Sequence, residues 1–153
     1  IVPFSSSSEI ISLSLVFLTP NVGVFEHIPE PYSYFKQLSN ILKSDGLIFM
    51  QIPNAGGLAP KILQNECKMF DGVEHCNLYN DKTIELVINN SRFSLQAMES
   101  VISEIAIINN YLDYEDPYFG SSKSNDLLLG LIDEKMIHEN YLGYKLQIIV
   151  KKN

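Results

Sequence analysis

Three side chains with acid–base chemistry stand out in this 153-residue sequence: the adjacent pair Glu26-His27, and His75. A neutral imidazole takes up a proton near pH 7, so a histidine beside a carboxylate can serve as a general base. His27 is the first candidate for that role and His75 the second. The alternative for His27 is a ring that hydrogen-bonds a turn and fixes it, and for His75 a solvated loop position. Glu26 could orient His27, contact a substrate or cap the following turn.

The other groups with reactive side chains fit structural or solvated positions better. His138 falls late in a predicted surface helix. Cys67 and Cys76 are nine apart with no Cys-x-x-Cys pairing, whereas a zinc site wants four ligands at tighter spacing. They are interpreted as thiols in a reducing cytosol. The acidic residues between the tyrosines of 111–118 are interpreted as a solvated loop.

Residues 24–54 contain the elements that must position Glu26 and His27. They read VFEHIPEPYSYFKQLSNILKSDGLIFMQIPN, which predicts a strand–helix–strand unit with parallel strands. Groups at the carboxyl ends of such strands face the ligand crevice. Glu26-His27 and Pro53-Asn54 are therefore predicted to share one rim of a sheet. The helix begins near Pro31, Asp45-Gly46 ends it with glycine in a left-handed conformation, and its apolar face comprises Tyr34, Phe35, Leu38, Ile41 and Leu42.

The rest of the chain supplies further strands and helices. Residues 9–18 have the composition of a buried strand, and 15–23 are interpreted as an insertion whose Thr19-Pro20-Asn21 has turn chemistry. A long loop, 54–80, contains a short helix at 60–65. A helix over 81–90 is predicted with Asn80 as its N-cap and with Ile84, Leu86, Val87 and Ile88 packing inward. Alternating strand 93–101, with Phe93, Leu95, Ala97 and Val101 on one face, helix 126–139 and strand 144–151 complete the prediction.

The pieces FEHIPEP and LKSDGLIFMQIPN, separated by a helix, resemble the second half of class I S-adenosylmethionine-dependent methyltransferases. Ser44-Asp45 replaces the Pro-Gly usual there, and the similarity extends over residues 9–93. The resemblance implies an α/β fold: an incomplete Rossmann-like sheet of parallel strands with an antiparallel C-terminal strand, and helices on its faces. Residues 1–153 would form one partial domain, with the strand–helix–strand unit at 9–54, a substrate-side loop at 54–80 and C-terminal helices and strands at 81–153.

The same resemblance implies a cofactor and a set of site residues. S-adenosylmethionine would donate a methyl group to a small-molecule or glycan acceptor. The implied roles are catalysis by His27 and Glu26, cofactor binding by Val24 and Phe25, and substrate binding by Asn54, His75 and Tyr79. Methyltransferases of this group that hold a divalent ion show Glu-x-x-Glu-His. Because Gly23 stands three before Glu26, no metal is predicted.

The glycines of this sequence form no G-x-G loop after an opening strand, so the main cofactor cradle is absent from it. The chain is accordingly expected to be the C-terminal part of a longer methyltransferase, inactive in isolation. The alternative is a non-catalytic, degenerate relative that serves as an interaction module. A dehydrogenase would share the strand–helix–strand layout, but the Glu-His-Ile-Pro motif does not fit that class of enzyme.

The composition argues against several classes of binding partner. A formal net charge of −7 argues against binding to nucleic-acid phosphates, which needs a basic face, and against anionic membrane surfaces. No run of about 18 apolar residues occurs, so no membrane span is predicted. Residues 1–18 lack a basic leader and contain Glu9, which makes them a poor signal peptide. A cytoplasmic protein is expected.

Overall fold

The structure is a computed structural model that describes residues 19–70, 72–102 and 133–153. Within these residues, four strands form one sheet. The strands are β1 (Thr19–Val22), β2 (Leu47–Pro53), β3 (Phe93–Val101) and β4 (Lys145–Lys152), in the spatial order β1-β2-β4-β3. β1 pairs with β2 in parallel, and β4 runs antiparallel to both β2 and β3. Three strands therefore share one direction and the C-terminal strand opposes them, which confirms the predicted fold class.

The α-helices in the described residues are α1 (Pro31–Ile41), α2 (Leu58–Leu63), α3 (Asp81–Asn89) and α4 (Glu134–Glu139). Short 3-10 helices lie at Phe25–His27, Gln64–Glu66 and Lys68–Phe70. The helices α3 and α4 both lie against β3. None of the helices in the described part of the chain combines the length and the apolar character that a bilayer crossing needs.

The core lies between the two central strands and the helices. Cross-strand pairs Ile48–Val150, Met50–Ile148 and Ile52–Leu146 put six fully buried side chains directly opposite one another. These pairs alternate with half-buried positions along β2 and β4, as the two-residue period of a strand requires. The side chains that complete the cluster come from α1, α3 and the ends of the strands, and include Phe25, Phe35, Ile84, Ile88 and Phe93.

The start of α3 confirms its predicted cap. The Asn80 side chain accepts a hydrogen bond from the Thr83 backbone N–H at 2.8 Å, and the Thr83 hydroxyl accepts one from the Asn80 N–H at 2.9 Å. This reciprocal pair satisfies two of the amides that a helix start leaves without partners. The end of the long loop is thereby fixed in place.

The turn predicted at Thr19-Pro20-Asn21, within the segment 15–23, is wrong. Those residues belong to β1, with Thr19 opposite Ile48 and Val22 opposite Gln51. Pairing with a central strand overrides the turn preference of Thr-Pro-Asn, because strand formation depends on tertiary context more than on local propensity. The turn comes one residue later, at Gly23, whose φ is 63°. The strand predicted at 9–18 lies outside the described residues.

Two helical positions predicted to face the core face solvent. Ile41 is 75% exposed, because α1 ends there and the extended residue Leu42 turns inward instead. Leu86 is 60% exposed, since it lies two residues from both Ile84 and Ile88, or about 200° around the helix axis.

The exit from α1 also differs from the prediction in detail. Asp45, with φ of 64°, adopts the left-handed conformation assigned to Gly46. Glycine is needed at 46 for space, since a Cβ there would lie 2.9 Å from the carbonyl oxygen of Lys43. Asp45 in turn forms an ion pair with Lys151 of β4 at 2.9 Å.

The strand predicted at 93–101 is present, but its inward face changes along its length. A register shift between Leu95 and Ala97 moves burial to Met98 and Ser100. A bulge adds one residue to one strand and so reverses the alternation beyond it, which a strict period of two cannot anticipate.

The predicted helix 126–139 is not continuous. Asp133 has an extended backbone and caps α4, so the helix starts at Glu134, while 126–132 lie outside the described residues. Ile137 faces the core, whereas Met136 is half exposed. The short helix predicted at 60–65 lies two residues earlier, as α2.

Candidate active site

The carboxyl ends of β1 and β2 meet at one rim of the sheet, because the two strands are parallel. The Gly23 N–H donates to the Gln51 carbonyl at 3.0 Å and extends this pairing past the end of β1. The 3-10 helix with Glu26 and His27 follows immediately, and Asn54 follows β2 directly. The two corners predicted to share a rim therefore do so.

Phe25 anchors the 3-10 helix that carries Glu26 and His27. Its ring is fully buried against Phe35, Tyr79 and Tyr34, with centroid separations of 5.1, 5.4 and 6.1 Å. Of the two predicted cofactor contacts, Phe25 thus has its side chain in the core. The side chain of its neighbour Val24 is partly exposed at the rim.

A segment of the long loop is fastened onto this 3-10 helix. The Asn77 N–H donates to the Glu26 carbonyl at 3.0 Å, and the Asn77 side-chain amide donates to the Ile28 carbonyl at 2.5 Å. The Cys76 thiol lies 3.5 Å from the same Glu26 carbonyl. These contacts bring His75 beside His27 although the two are distant in sequence.

The two imidazole rings stack, with centroids 5.0 Å apart and planes inclined by 29°. Nδ1 of His27 lies 2.6 Å from the Glu74 carbonyl, and Nδ1 of His75 lies 3.0 Å from the Met69 carbonyl. A carbonyl only accepts, so each Nδ1 is the protonated donor and the lone pair of the neutral ring is on Nε2. Nε2 of His27 is 3.9 Å from Oε1 of Glu26.

Two buried oxygens at this rim have no hydrogen-bond partner within the described residues: Oε2 of Glu26 and the hydroxyl of Tyr79. Glu26 is only 4% exposed. Burial raises the pKa of Tyr79 to about 12, and charges at Cys76, Tyr32 and Glu26 push it the same way. Tyr79 is therefore a neutral hydroxyl. Unpaired buried polar atoms are costly and rare, so these two oxygens distinguish this rim of the sheet.

Asn54, a predicted substrate contact, is fully buried and bonded to the backbone. Its amide nitrogen donates to the carbonyls of Tyr141 and Gly143, both at 2.7 Å, and its side-chain oxygen accepts from the Gly56 N–H at 3.0 Å. Both donors are used, so Asn54 joins the rim to the segment before β4. We treat it as a positioning residue.

A cavity of about 590 Å³ lies on the long loop and is lined by Asn65, Glu66, Cys67, Lys68, Phe70, Val73 and Glu74. Glu74 is also the residue whose carbonyl accepts the hydrogen bond from His27. The cavity thus shares a wall with the histidine pair, and its volume suits a small organic ligand.

The structure adds contributions that the sequence could not reveal. The carbonyls of Glu74 and Met69 fix the two histidine tautomers, and backbone atoms carry no residue-type signal. The structure also adds His75 to the Glu26-His27 pair as a third potential metal ligand. One ligating atom from each of Glu26, His27 and His75 lies within 4.8 Å of the others. The prediction of no metal considered only Gly23 and the near neighbours of Glu26.

A family profile described as a methyltransferase domain matches residues 21–97, just over half of the chain. The chain belongs to this methyltransferase family. The match spans both corners of the rim and the loop with His75 and Tyr79, and S-adenosylmethionine is the family's cofactor. No match was found among curated proteins.

Similarity to a solved structure supports the methyltransferase fold. A methyltransferase from Thermotoga maritima, described as S-adenosylmethionine-dependent and a possible histamine N-methyltransferase, has a TM-score of 0.55 at 10% identity, over 89% of this chain and 56% of its own. A mycolic acid cyclopropane synthase has 0.49 at 15% identity, over 88% and 55%. A geranyl diphosphate C-methyltransferase from Streptomyces coelicolor has 0.46 at 15%, over 89% and 47%. The chain thus spans about half the length of these structures.

Proposed function

We propose that this chain is the acceptor-side part of an S-adenosylmethionine-dependent methyltransferase that acts on a small molecule or glycan. The observation that carries the proposal is the meeting of Glu26, His27, His75 and Tyr79 at the carboxyl rim of a methyltransferase-type sheet. Two buried oxygens there have no hydrogen-bond partner within the described residues. The nearby cavity of about 590 Å³ favours an acceptor of small size.

His27 is the proposed general base. The cofactor supplies a methyl group carried on a positively charged sulfur, and the acceptor oxygen must lose its proton as the new bond forms. Nε2 of His27 takes that proton, since Nδ1 is held as a donor to the Glu74 carbonyl. The carboxylate of Glu26, 3.9 Å away, then stabilises the imidazolium.

Val24, Tyr79 and His75 have positioning roles in this proposal. Val24 is the partly exposed apolar group at the end of β1 and is proposed to contact the cofactor. The neutral Tyr79 hydroxyl would donate a hydrogen bond to a bound ligand, which removes the cost of leaving it unpaired. His75 stacks on His27 and holds the face of its ring.

The 153 residues contain no glycine-rich loop, so we propose that the chain alone neither binds the cofactor measurably nor transfers methyl groups. Cys67 and Cys76 form no disulfide, and this supports the proposal of a cytoplasmic location. A non-catalytic interaction module is the second candidate, and the absence of that loop from the sequence is what favours it.

Calorimetric titration of S-adenosylmethionine separates these proposals. It should be run on the chain and on the protein encoded by the complete gene. We expect saturable binding by the complete protein and none by the chain. Failure of the complete protein to bind S-adenosylmethionine would overturn the proposal that it is an enzyme and would support the interaction module. Binding by the isolated chain would overturn the proposal that it is inactive by itself.

A further inference from the structure

We propose that Glu26, His27 and His75 bind a divalent transition-metal ion. The site lies where methyl transfer is proposed, but the binding of an ion does not depend on that function. Three potential ligands converge from two segments, the 3-10 helix after β1 and the long loop, with one ligating atom of each within 4.8 Å of the others. Two imidazoles and a carboxylate are a frequent donor set for such ions.

The histidines are arranged as metal ligands usually are. Nδ1 of His27 donates to the Glu74 carbonyl and Nδ1 of His75 to the Met69 carbonyl. Metal-bound histidines characteristically donate their second N–H to a carbonyl or carboxylate, which fixes the tautomer and aims the other nitrogen at the ion. Both rings are therefore in the tautomer whose lone pair is on Nε2, which is the form that a metal-bound histidine takes.

Glu26 provides an independent observation. Its side chain is 5% exposed, and its Oε2 has no hydrogen-bond partner within the described residues. A buried carboxylate oxygen without a partner is costly, and a cation would remove that cost. The anionic ligand thus has unused coordinating capacity at the place where the histidines meet.

The geometry is close to what an ion requires. With metal–ligand bonds of about 2.1 Å, the ligands of a tetrahedral ion lie about 3.4 Å apart. The three ligating atoms lie within 4.8 Å of one another, so binding an ion would require them to move about 1 Å closer together. The loop needs no rearrangement, because Asn77 already fastens it to the backbone of Glu26 and Ile28.

The donor set also indicates which ions would bind. Imidazole nitrogens favour Zn²⁺ or Co²⁺, whereas Mg²⁺, Ca²⁺ and Mn²⁺ prefer sites made of oxygen. With an ion bound, Nε2 of His27 would be a ligand. The ion would then lower the pKa of a coordinated acceptor hydroxyl, which would lose its proton to water instead of to the imidazole.

The test is a titration of the 153-residue chain with Co²⁺, followed by its visible absorption, then competition by Zn²⁺ and by excess Mg²⁺. We expect one Co²⁺ per chain, displaced by Zn²⁺ and not by Mg²⁺. His27→Ala, His75→Ala and Glu26→Gln should each weaken Co²⁺ binding at least about tenfold. His138→Ala, which removes a histidine on α4, should leave binding unchanged.

Circular dichroism of each variant verifies the fold, and Glu26→Gln preserves side-chain size at the buried position. Absence of a Co²⁺ band in the unmodified chain would overturn the metal site. So would unchanged affinity in the three variants, or loss of binding in His138→Ala. Because no S-adenosylmethionine is present, a negative result would leave the proposed methyl transfer, with His27 as base, standing.

Discussion

The ring of His27 stacks on the ring of His75 at a centroid separation of 5.0 Å, and the two side chains come from different segments of the chain. The stack exists because the long loop is hydrogen-bonded to the backbone of the 3-10 helix at Phe25–His27. The arrangement of the candidate site thus depends on side chains that contribute no chemistry themselves. Asn77 is the principal one.

Replacing Asn77 with alanine should therefore loosen the site. The side-chain bond to the Ile28 carbonyl is lost, and the free energy of unfolding should fall by about 1 kcal/mol. Urea denaturation measures this. The matched control is Asn65→Ala, at an exposed position whose amide reaches only Glu66, with an expected change below about 0.5 kcal/mol. Equal effects of the two substitutions would contradict the fastening role of Asn77.

Asn54→Ala should be more damaging. It removes the donor of the hydrogen bonds to the carbonyls of Tyr141 and Gly143, and the free energy of unfolding should fall by on the order of 3 kcal/mol. Asn90→Ala removes an amide that bonds the Leu86 carbonyl at an exposed helix end, and should cost about 1 kcal/mol or less. A small effect at Asn54 would show that it does not join the rim to the segment before β4.

Tyr79→Phe should leave the ligand-free chain as stable or about 1 kcal/mol more stable at pH 7, because the hydroxyl it removes is buried and unpaired. Tyr34→Phe serves as the contrast, since it deletes a 2.6 Å hydrogen bond to Asn21 and should destabilise the chain.

The pKa of Tyr79 also predicts a pH dependence. In the folded chain it is raised from 10.0 to about 12, so the unfolded state loses this proton first as pH rises. Ionisation of Tyr79 takes no stability away below pH 10, and it lowers the free energy of unfolding progressively between pH 10 and about 12. Tyr79→Phe should decline less over this window in denaturation curves. Parallel decline of both proteins would indicate that the pKa of Tyr79 is not raised.

The core tests the fold itself. Met50 is fully buried opposite Ile148, and Met50→Ala should lower the free energy of unfolding by about 2–5 kcal/mol. Met136→Ala makes the same substitution at a half-exposed position on α4 and should change stability by less than about 0.5 kcal/mol. If the two costs were similar, the assignment of β2 to the centre of the sheet would be wrong.

The sequence predicts α1, β2 and α3 well because their signals are local and agree with one another. Pro31 starts α1, and Asn80 caps α3. Prediction from the sequence fails where pairing with a strand that is distant in the chain decides the secondary structure. Residues 19–22 look like a turn until β2 is present beside them, and the bulge near Ala97 reverses a face that alternation alone would continue.

The candidate site, too, can be predicted from the sequence only in part. Glu26, His27 and the rim they share with Asn54 follow from the rule that strand ends face a crevice. The stacking of His75 on His27 does not, because it depends on backbone carbonyls and on how the long loop folds back. The role of Asn54 likewise emerges only from its hydrogen bonds.

Methyl transfer by the complete protein tests the central claim most directly. The protein should be incubated with S-adenosylmethionine labelled in its methyl group and an extract of small metabolites, with labelled products detected by mass spectrometry. We predict a labelled product whose formation falls at least about a hundredfold in His27→Ala and is unchanged in His138→Ala. Undiminished labelling in His27→Ala, or no labelled product from the unmodified protein, would contradict the proposed role of His27 at this rim.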